Sequence, residues 1–406
     1  MDGPVSVATG RQWRRPVPAP GRHWRAHRGA AEPGCRGRPQ CDASAEQTRG
    51  GEGVQVSLTR PEELGGSEIA TWQAMQRTTP ALSSPYLCPE FAVAVSRLRP
   101  DVRVAVLSDG SSIAGFFPFE RRRLGAGIPL CSWPAAPCGL IHAPGFEWDA
   151  RDLLRKCRLS AWQFDLLVAG QRPFVAYQAS TESSFVMDLT EGFATYQAKL
   201  QAKSPRFCKE LARKRRKLER DAGALSFVAD SRETKLMRTL MGWKSDQYRR
   251  TDNLDYFDRP WVVELLDTLL AIHTDHFGGI LCATYAGDQP VAVQFGLRSR
   301  SVAGGWFTAY DARFARYSPG MILAMQLAEA LCEAGVGTLD IGKGASSYKE
   351  TLQSHHSLVA EGIVTGRSAL AAAHRAHRAS ARWAGRVVYQ HPRLYHGTRR
   401  IRAAMR

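Results

Sequence analysis

One pattern occurs twice in this chain and narrows what it can fold into. It is an apolar strand, a tight turn of Asp and Gly, and a second apolar strand. The segment AVLSDGSSIAGFF lies without a gap over ATYAGDQPVAVQF, from Ala105 over Ala283 to Phe117 over Phe295. Asp-Gly between apolar runs is a strong hairpin signal, because the turns that match strand twist need positive φ. Strands and helices alternate around both copies. Residues 61–77 and 85–98 read as helices before the first hairpin, and FDLLVAG (164–170) reads as a buried strand after it. FVMDL (185–189) and SFVAD (226–230) read as strands, with one long helix over 192–222 between them. Helices over 232–248 and 259–276 precede the second hairpin, 280–299. Strand GGWFTAYD (304–311), helix 321–335, strand TLDIGKG, a short helix SSYKETL and strand SLVAEGIVTG follow it. The pattern predicts an α/β fold of two related halves.

At roughly 100–200 residues per domain, a chain of 406 residues has room for two or three. Residues 1–53 are rich in Arg, Gly, Pro and Ala without a hydrophobic period, so an unstructured extension is expected there. The expected halves are 54–184 and 185–366, followed by a basic tail, 367–406. No run of about 18 apolar residues is present, and the N-terminus lacks an apolar leader segment, so the expected compartment is the cytoplasm. None of the nine cysteines forms a C-x-x-C pair, which argues for scattered thiols and against a disulfide framework or a zinc site.

The net charge of +17 suggests nucleic acid until it is located. The tail 367–406 holds ten Arg and no acidic residue, and 199–220 holds ten basic residues against two acidic ones. The rest of the body is close to neutral, whereas a nucleic-acid reader wants a basic face with interleaved aromatics. The helix RFCKELARKRRKLER (206–220) has a thin stripe of Phe207, Leu211 and Leu218, and suits acidic groups, anionic lipid or plain solvation. In the tail, Arg375, Arg378, Arg382 and Arg386 recur at helical spacing opposite Trp383 and Val387, as an interfacial helix requires.

The stretch 304–350 carries the chemistry. A strand feeds a helix through Arg316-Tyr317-Ser318-Pro319-Gly320. Ser318 can cap that helix, Pro319 fits its first turn, and Gly320 admits another group close to the backbone. The helix N-terminus is then a seat for phosphate, with an ordinarily capped core helix as the simpler alternative.

Together with W-K-S-D-Q-Y-R-R-T (243–251), A-Y-D (309–311), Y-S-P-G-M-I-L (317–323) and L-D-I-G-K-G…Y-K (339–349), this order resembles the GNAT superfamily. Within it, the stretch is most similar to the CelD-like branch associated with cellulose and exopolysaccharide biosynthesis, related to FemAB-type transferases. The resemblance covers about 54–366. It implies two GNAT-like halves of mixed, mostly antiparallel sheet flanked by helices, with acetyl-CoA or another acyl-CoA bound in the second and no metal. Pro319 stands where the family loop has its first Gly, so a different activated acyl donor is the alternative.

Arg316, Ser318, Gly320 and Trp306 are then the expected donor contacts. The resemblance gives Tyr348 the thiolate-protonating role, against a packing role for the ring. Asp340 is the expected base, with Asp311 as the other available carboxylate and Lys343 or Lys349 as the partner a mid-strand carboxylate needs. Gly304-Gly305 would permit the strand bulge whose N–H steadies the thioester oxygen. Lys244 and Arg249 suit an anionic or polyhydroxylated acceptor, as do Lys343 and Lys349. The expected activity is acyl-CoA-dependent N- or O-acyl transfer to a small-molecule or glycan acceptor. An anionic membrane, on its inner face, or a polysaccharide synthase is the expected peripheral contact. The alternative is a non-catalytic basic module binding nucleic acid or anionic membrane.

Overall fold

The computed structural model describes residues 54–366, apart from Trp133 and Ala345. The expectations for 1–53 and 367–406 lie outside the described residues. A first run of elements comprises β1 (Gln55–Thr59), α1 (Gly66–Thr78), α2 (Pro89–Leu98), β2 (Val102–Asp109), β3 (Ser112–Arg121), β4 (Ala126–Ile128), β5 (Ile141–His142), α3 (Ala150–Lys156), β6 (Ala161–Leu167) and β7 (Gln178–Asp188). Two helices follow, α4 (Phe193–Lys203) and α5 (Pro205–Ala222). The second run holds β8 (Leu225–Val228), α6 (Thr234–Arg250), α7 (Pro260–Ala271), β9 (Phe277–Ala286), β10 (Gln289–Ser299), β11 (Val302–Tyr310), α8 (Pro319–Glu333), β12 (Thr338–Lys343), α9 (Ser347–Leu352) and β13 (His355–Thr365).

Among the described residues the strands form one mixed sheet in the order β1-β2-β3-β4-β6-β13-β7-β12-β11-β10-β9-β8, with β5 on β3. The order reads alike from both ends. An antiparallel edge leads to a parallel pair, β4 with β6 on one side and β11 with β12 on the other. The closing strands are exchanged: β7 pairs β12 of the second run, β13 pairs β6 of the first, and the two pair with each other. The expected boundary at 184/185 therefore falls inside β7. The α/β class and the large mixed sheet flanked by helices are as expected.

The long helix expected over 192–222 is two helices. Pro205 cannot donate to the preceding turn and its ring crowds it, so α4 ends and α5 begins at N1 on Pro205. α2, α7 and α8 also open on proline. The sheet is covered on both faces. On one face Trp72, Phe91, Leu240, Leu265, Phe295 and Phe307 join both runs in a single cluster under α1, α2, α6 and α7. On the other, Phe117, Trp162 and Phe164 pack under α3, and Leu200, Leu323 and Leu331 pack among α4 and α8. Strands buried on both faces read as continuous apolar runs, which is why β2, β3, β9 and β10 stand out in the sequence. Seven cysteines are unpaired among the described residues, five of them buried. No helix among the described residues is long and apolar enough to cross a membrane.

Candidate active site

β11 and β12 part company soon after they meet. Their parallel pairing runs only from Val302 opposite Thr338 to Gly304 opposite Asp340. β11 continues to Tyr310 along β10 alone, so one edge of its backbone is open. A register shift opens the same region. Phe295 faces Phe307 while Gly296 faces Gly305, which leaves Trp306 as the extra residue of a bulge. The bulge expected at Gly304-Gly305 thus centres on the next residue. Trp306 Nε1 is buried without a hydrogen-bond partner. β12 has its own irregularity: Asp340 faces Val186 and Gly342 faces Phe185, with Gly342 at φ +84°.

The loop after β11 leads to the N-terminus of α8. Ser318 does not cap it: at φ +56° its side chain turns away, and its Oγ accepts from Lys214 Nζ at 3.0 Å. Arg316 stacks 4.7 Å from the Tyr317 ring and donates to its hydroxyl at 2.5 Å. Tyr317 in turn donates to Asp221 Oδ2 at 2.7 Å, a bond that holds the Asp221 carboxyl below its usual range. A Cβ on Gly320 would meet only Tyr310 Cδ1, at 3.8 Å, so the first turn is open. The corresponding helix of the first run is closed. Asp149 caps α3 by accepting from the N–H groups of Arg151 (2.9 Å) and Asp152 (2.8 Å), and Asp152 adds a second negative charge to that turn. The end of α8 carries neither a side-chain cap nor an acid in its first turn, whereas Asp149 occupies the N–H groups at the end of α3.

Midway along β12, Asp340 Oδ1 accepts from Ser184 Oγ and from the Gly342 N–H, both at 2.8 Å. Burial is the largest influence on this carboxyl and lifts it above the usual aspartate range, while the two hydrogen bonds and the charge of Lys349 work against it. Of the two lysines expected as its partner, Lys349 acts on it through its charge and neither is hydrogen-bonded to it. Lys349 Nζ donates instead to the carbonyls of Gly342 (3.2 Å) and Lys343 (2.7 Å), and burial lowers its pKa. Lys343 Nζ reaches the Asp165 carbonyl at 3.4 Å and lies 3.9 Å from Glu182. Tyr348 stands at the start of α9, 40% exposed, with partial burial raising its phenol. Asp311, the other candidate carboxylate, is engaged by Arg313, whose backbone N–H (2.9 Å) and guanidinium (2.6 Å) it accepts.

Lys244 comes from α6 to the open part of β11. Its Nζ donates to the Thr308 carbonyl at 3.2 Å and to Gln247 at 2.9 Å, and desolvation lowers its pKa. Arg249 does not join it and pairs with Asp246 at 2.5 Å on the solvent side of α6. Ser184, Lys214 and Tyr86, whose hydroxyl donates to the Gly304 carbonyl at 3.3 Å, were not singled out in the sequence. Only Lys214 left a signal, a lysine three residues after Leu211 and four before Leu218 on the helix stripe. Among the described residues, no three His, Cys, Asp or Glu side chains are grouped to hold a metal ion.

Residues 205–350 match the family described as Acetyltransferase (GNAT) domain. No curated protein matches the chain. Solved structures similar in fold include the C-terminal domain of a protein described as a lysylphosphatidylglycerol synthetase from Agrobacterium fabrum, at 14% identity over 75% of this chain and 94% of that one (TM-score 0.47). A tandem GNAT protein from the clavulanic acid biosynthesis pathway is 12% identical over 78% of this chain and 100% of that one (TM-score 0.44). FemX is 10% identical over 73% and 94% of the two chains (TM-score 0.49). The segment that matches the GNAT acetyltransferase family, 205–350, is the one that holds the bulge, the parted strands and α8.

Proposed function

We propose that the protein transfers an acyl group from an acyl-CoA, acetyl-CoA foremost, to a hydroxyl or amine of a glycan or glycan precursor, as a member of the CelD-like branch. The observation that carries the reading is the parting of β11 from β12 beside the uncapped N-terminus of α8. A donor laid between the strands has its phosphates at Gly320, Ser318 and Arg316, with Lys214 beside them, and its acyl end at the bulge around Trp306. There a backbone N–H meets the carbonyl oxygen as charge develops on it.

The acceptor oxygen or nitrogen attacks the thioester carbon, and Asp340 takes the proton it releases. A carboxyl lifted by burial is a better base than an ordinary aspartate once ionised. The tetrahedral intermediate collapses by breaking the carbon–sulfur bond, and Tyr348 gives its proton to the departing thiolate. Lys244, Lys343 and Lys349 present cations to an anionic or hydroxyl-rich acceptor, with Arg249 further out on α6. The closed end of α3 limits donor binding to the second run.

The arginine-rich tail, 367–406, completes the proposal as an anchor to an anionic membrane surface, beside a polysaccharide synthase that supplies the acceptor. Calorimetric titration with acetyl-CoA tests the donor assignment. Binding that Gly320→Val weakens supports it. Failure of every acyl-CoA to bind returns the protein to the basic binding module.

A further inference from the structure

A residue of the first run reaches the point where β11 and β12 part. Tyr86 lies in the short 3-10 turn Pro85–Leu87 ahead of α2 and is only 6% exposed. Its hydroxyl donates to the carbonyl of Gly304, the residue of the last β11–β12 rung, opposite Asp340. The fit is close enough to require that glycine, because a Cβ on Gly304 would stand 2.8 Å from Tyr86 Cε2. The ring meets Trp306, the extra residue of the bulge, edge to face with centroids 5.3 Å apart, and is backed by Phe91 at 5.5 Å.

We infer that Tyr86 is a positioning residue for the acyl-transfer site: its hydroxyl holds the Gly304 peptide, and its ring wedges Trp306, so that the backbone N–H groups of the bulge are set toward the acyl oxygen. The inference rests on the acyltransferase reading. It gives the first run a part in the chemistry although it binds no donor. A hydroxyl on a carbonyl fixes one peptide plane, and the orientation of the neighbouring N–H groups follows from it. Burial and the nearby charge of Asp340 both keep the phenol protonated, hence a donor, at all ordinary pH. Tyr86 acts through Gly304 and Trp306.

The test needs no acceptor. Full-length protein is saturated with acetyl-CoA labelled with carbon-13 at the carbonyl, and the resonance is compared with that of free donor. Wild-type protein should move it downfield, as hydrogen bonding to the oxygen polarises the carbonyl. Tyr86→Phe should return it most of the way to the free position while the donor dissociation constant changes less than about threefold. Phe91→Leu, which loosens the same packing without touching Gly304, should keep the shift even where it lowers the melting temperature more. An unchanged shift in Tyr86→Phe, or equal loss of shift in Phe91→Leu, overturns the role of Tyr86 alone. A wild-type protein that binds no acetyl-CoA overturns the acyltransferase reading, and this inference with it.

Discussion

Replacing Ser184 with alanine should reveal whether Asp340 works as an ionised carboxylate. Ser184 is 4% exposed, and its hydroxyl donates to Asp340 Oδ1 at 2.8 Å, leaving the Gly342 N–H as the remaining hydrogen-bond donor to that oxygen in the variant. A hydrogen bond to a charged group contributes about 1.5–3 kcal/mol and one to a neutral group about 0.5–1.5 kcal/mol. The difference, on the order of 1–2 kcal/mol, corresponds to roughly one unit of pKa. The Asp340 carboxyl already lies above its unfolded value because of burial, so its protonated form favours the fold. That contribution is fully present below the unfolded pKa and lost as pH rises through the folded one. Ser184→Ala raises the folded value further, so its destabilisation should grow with pH. Urea unfolding of both proteins, from below the ordinary aspartate range upward through the titration of Asp340, should show it increase by about 1–2 kcal/mol. In turnover, the acid limb of the pH profile should move up by about one unit. A destabilisation that is constant across pH would mean that Ser184 does not stabilise the ionised form of Asp340.

Tyr348→Phe should lower turnover by about 10²–10⁴-fold with donor affinity nearly unchanged, as loss of a proton donor does. Equal activity returns Tyr348 to a packing role. Gly320→Val should raise the dissociation constant of acetyl-CoA at least about tenfold, since the side chain would occupy the phosphate seat. Its melting temperature should hardly move, because only Tyr310 lies within contact of the new Cβ. Unchanged affinity would remove that seat. Deleting 367–406 should abolish co-sedimentation with anionic vesicles and leave the melting temperature unchanged, since roughly 1 kcal/mol per Arg acts only near the lipid surface. A melting temperature lower by several degrees, without vesicle binding by the full chain, contradicts anchoring.

Local elements were legible where periodicity or turn chemistry marked them. The two hairpins, β2–β3 and β9–β10, are examples. The break at Ser204 was written in Pro205, whose ring and missing N–H end the preceding helix. The exchange of β7 and β13 leaves no local trace, since strand pairing between distant segments depends on tertiary packing that periodicity does not encode. For the same reason Ser184 and Tyr86 were invisible as parts of the site: they meet Asp340 and Gly304 across 156 and 218 residues of chain. Ser318 misled because the capping preference assumes extended backbone, whereas here the residue is left-handed.

In the proposed complex the donor lies between β11 and β12 with its phosphates at the end of α8. Hydrogen–deuterium exchange with and without saturating acetyl-CoA locates it directly. The expected result is slower exchange across Gly304–Tyr310 and the first turn of α8, with none gained at the start of α3. Protection centred on Asp149 and α3, or an exchange pattern that acetyl-CoA leaves unaltered, would contradict the claim.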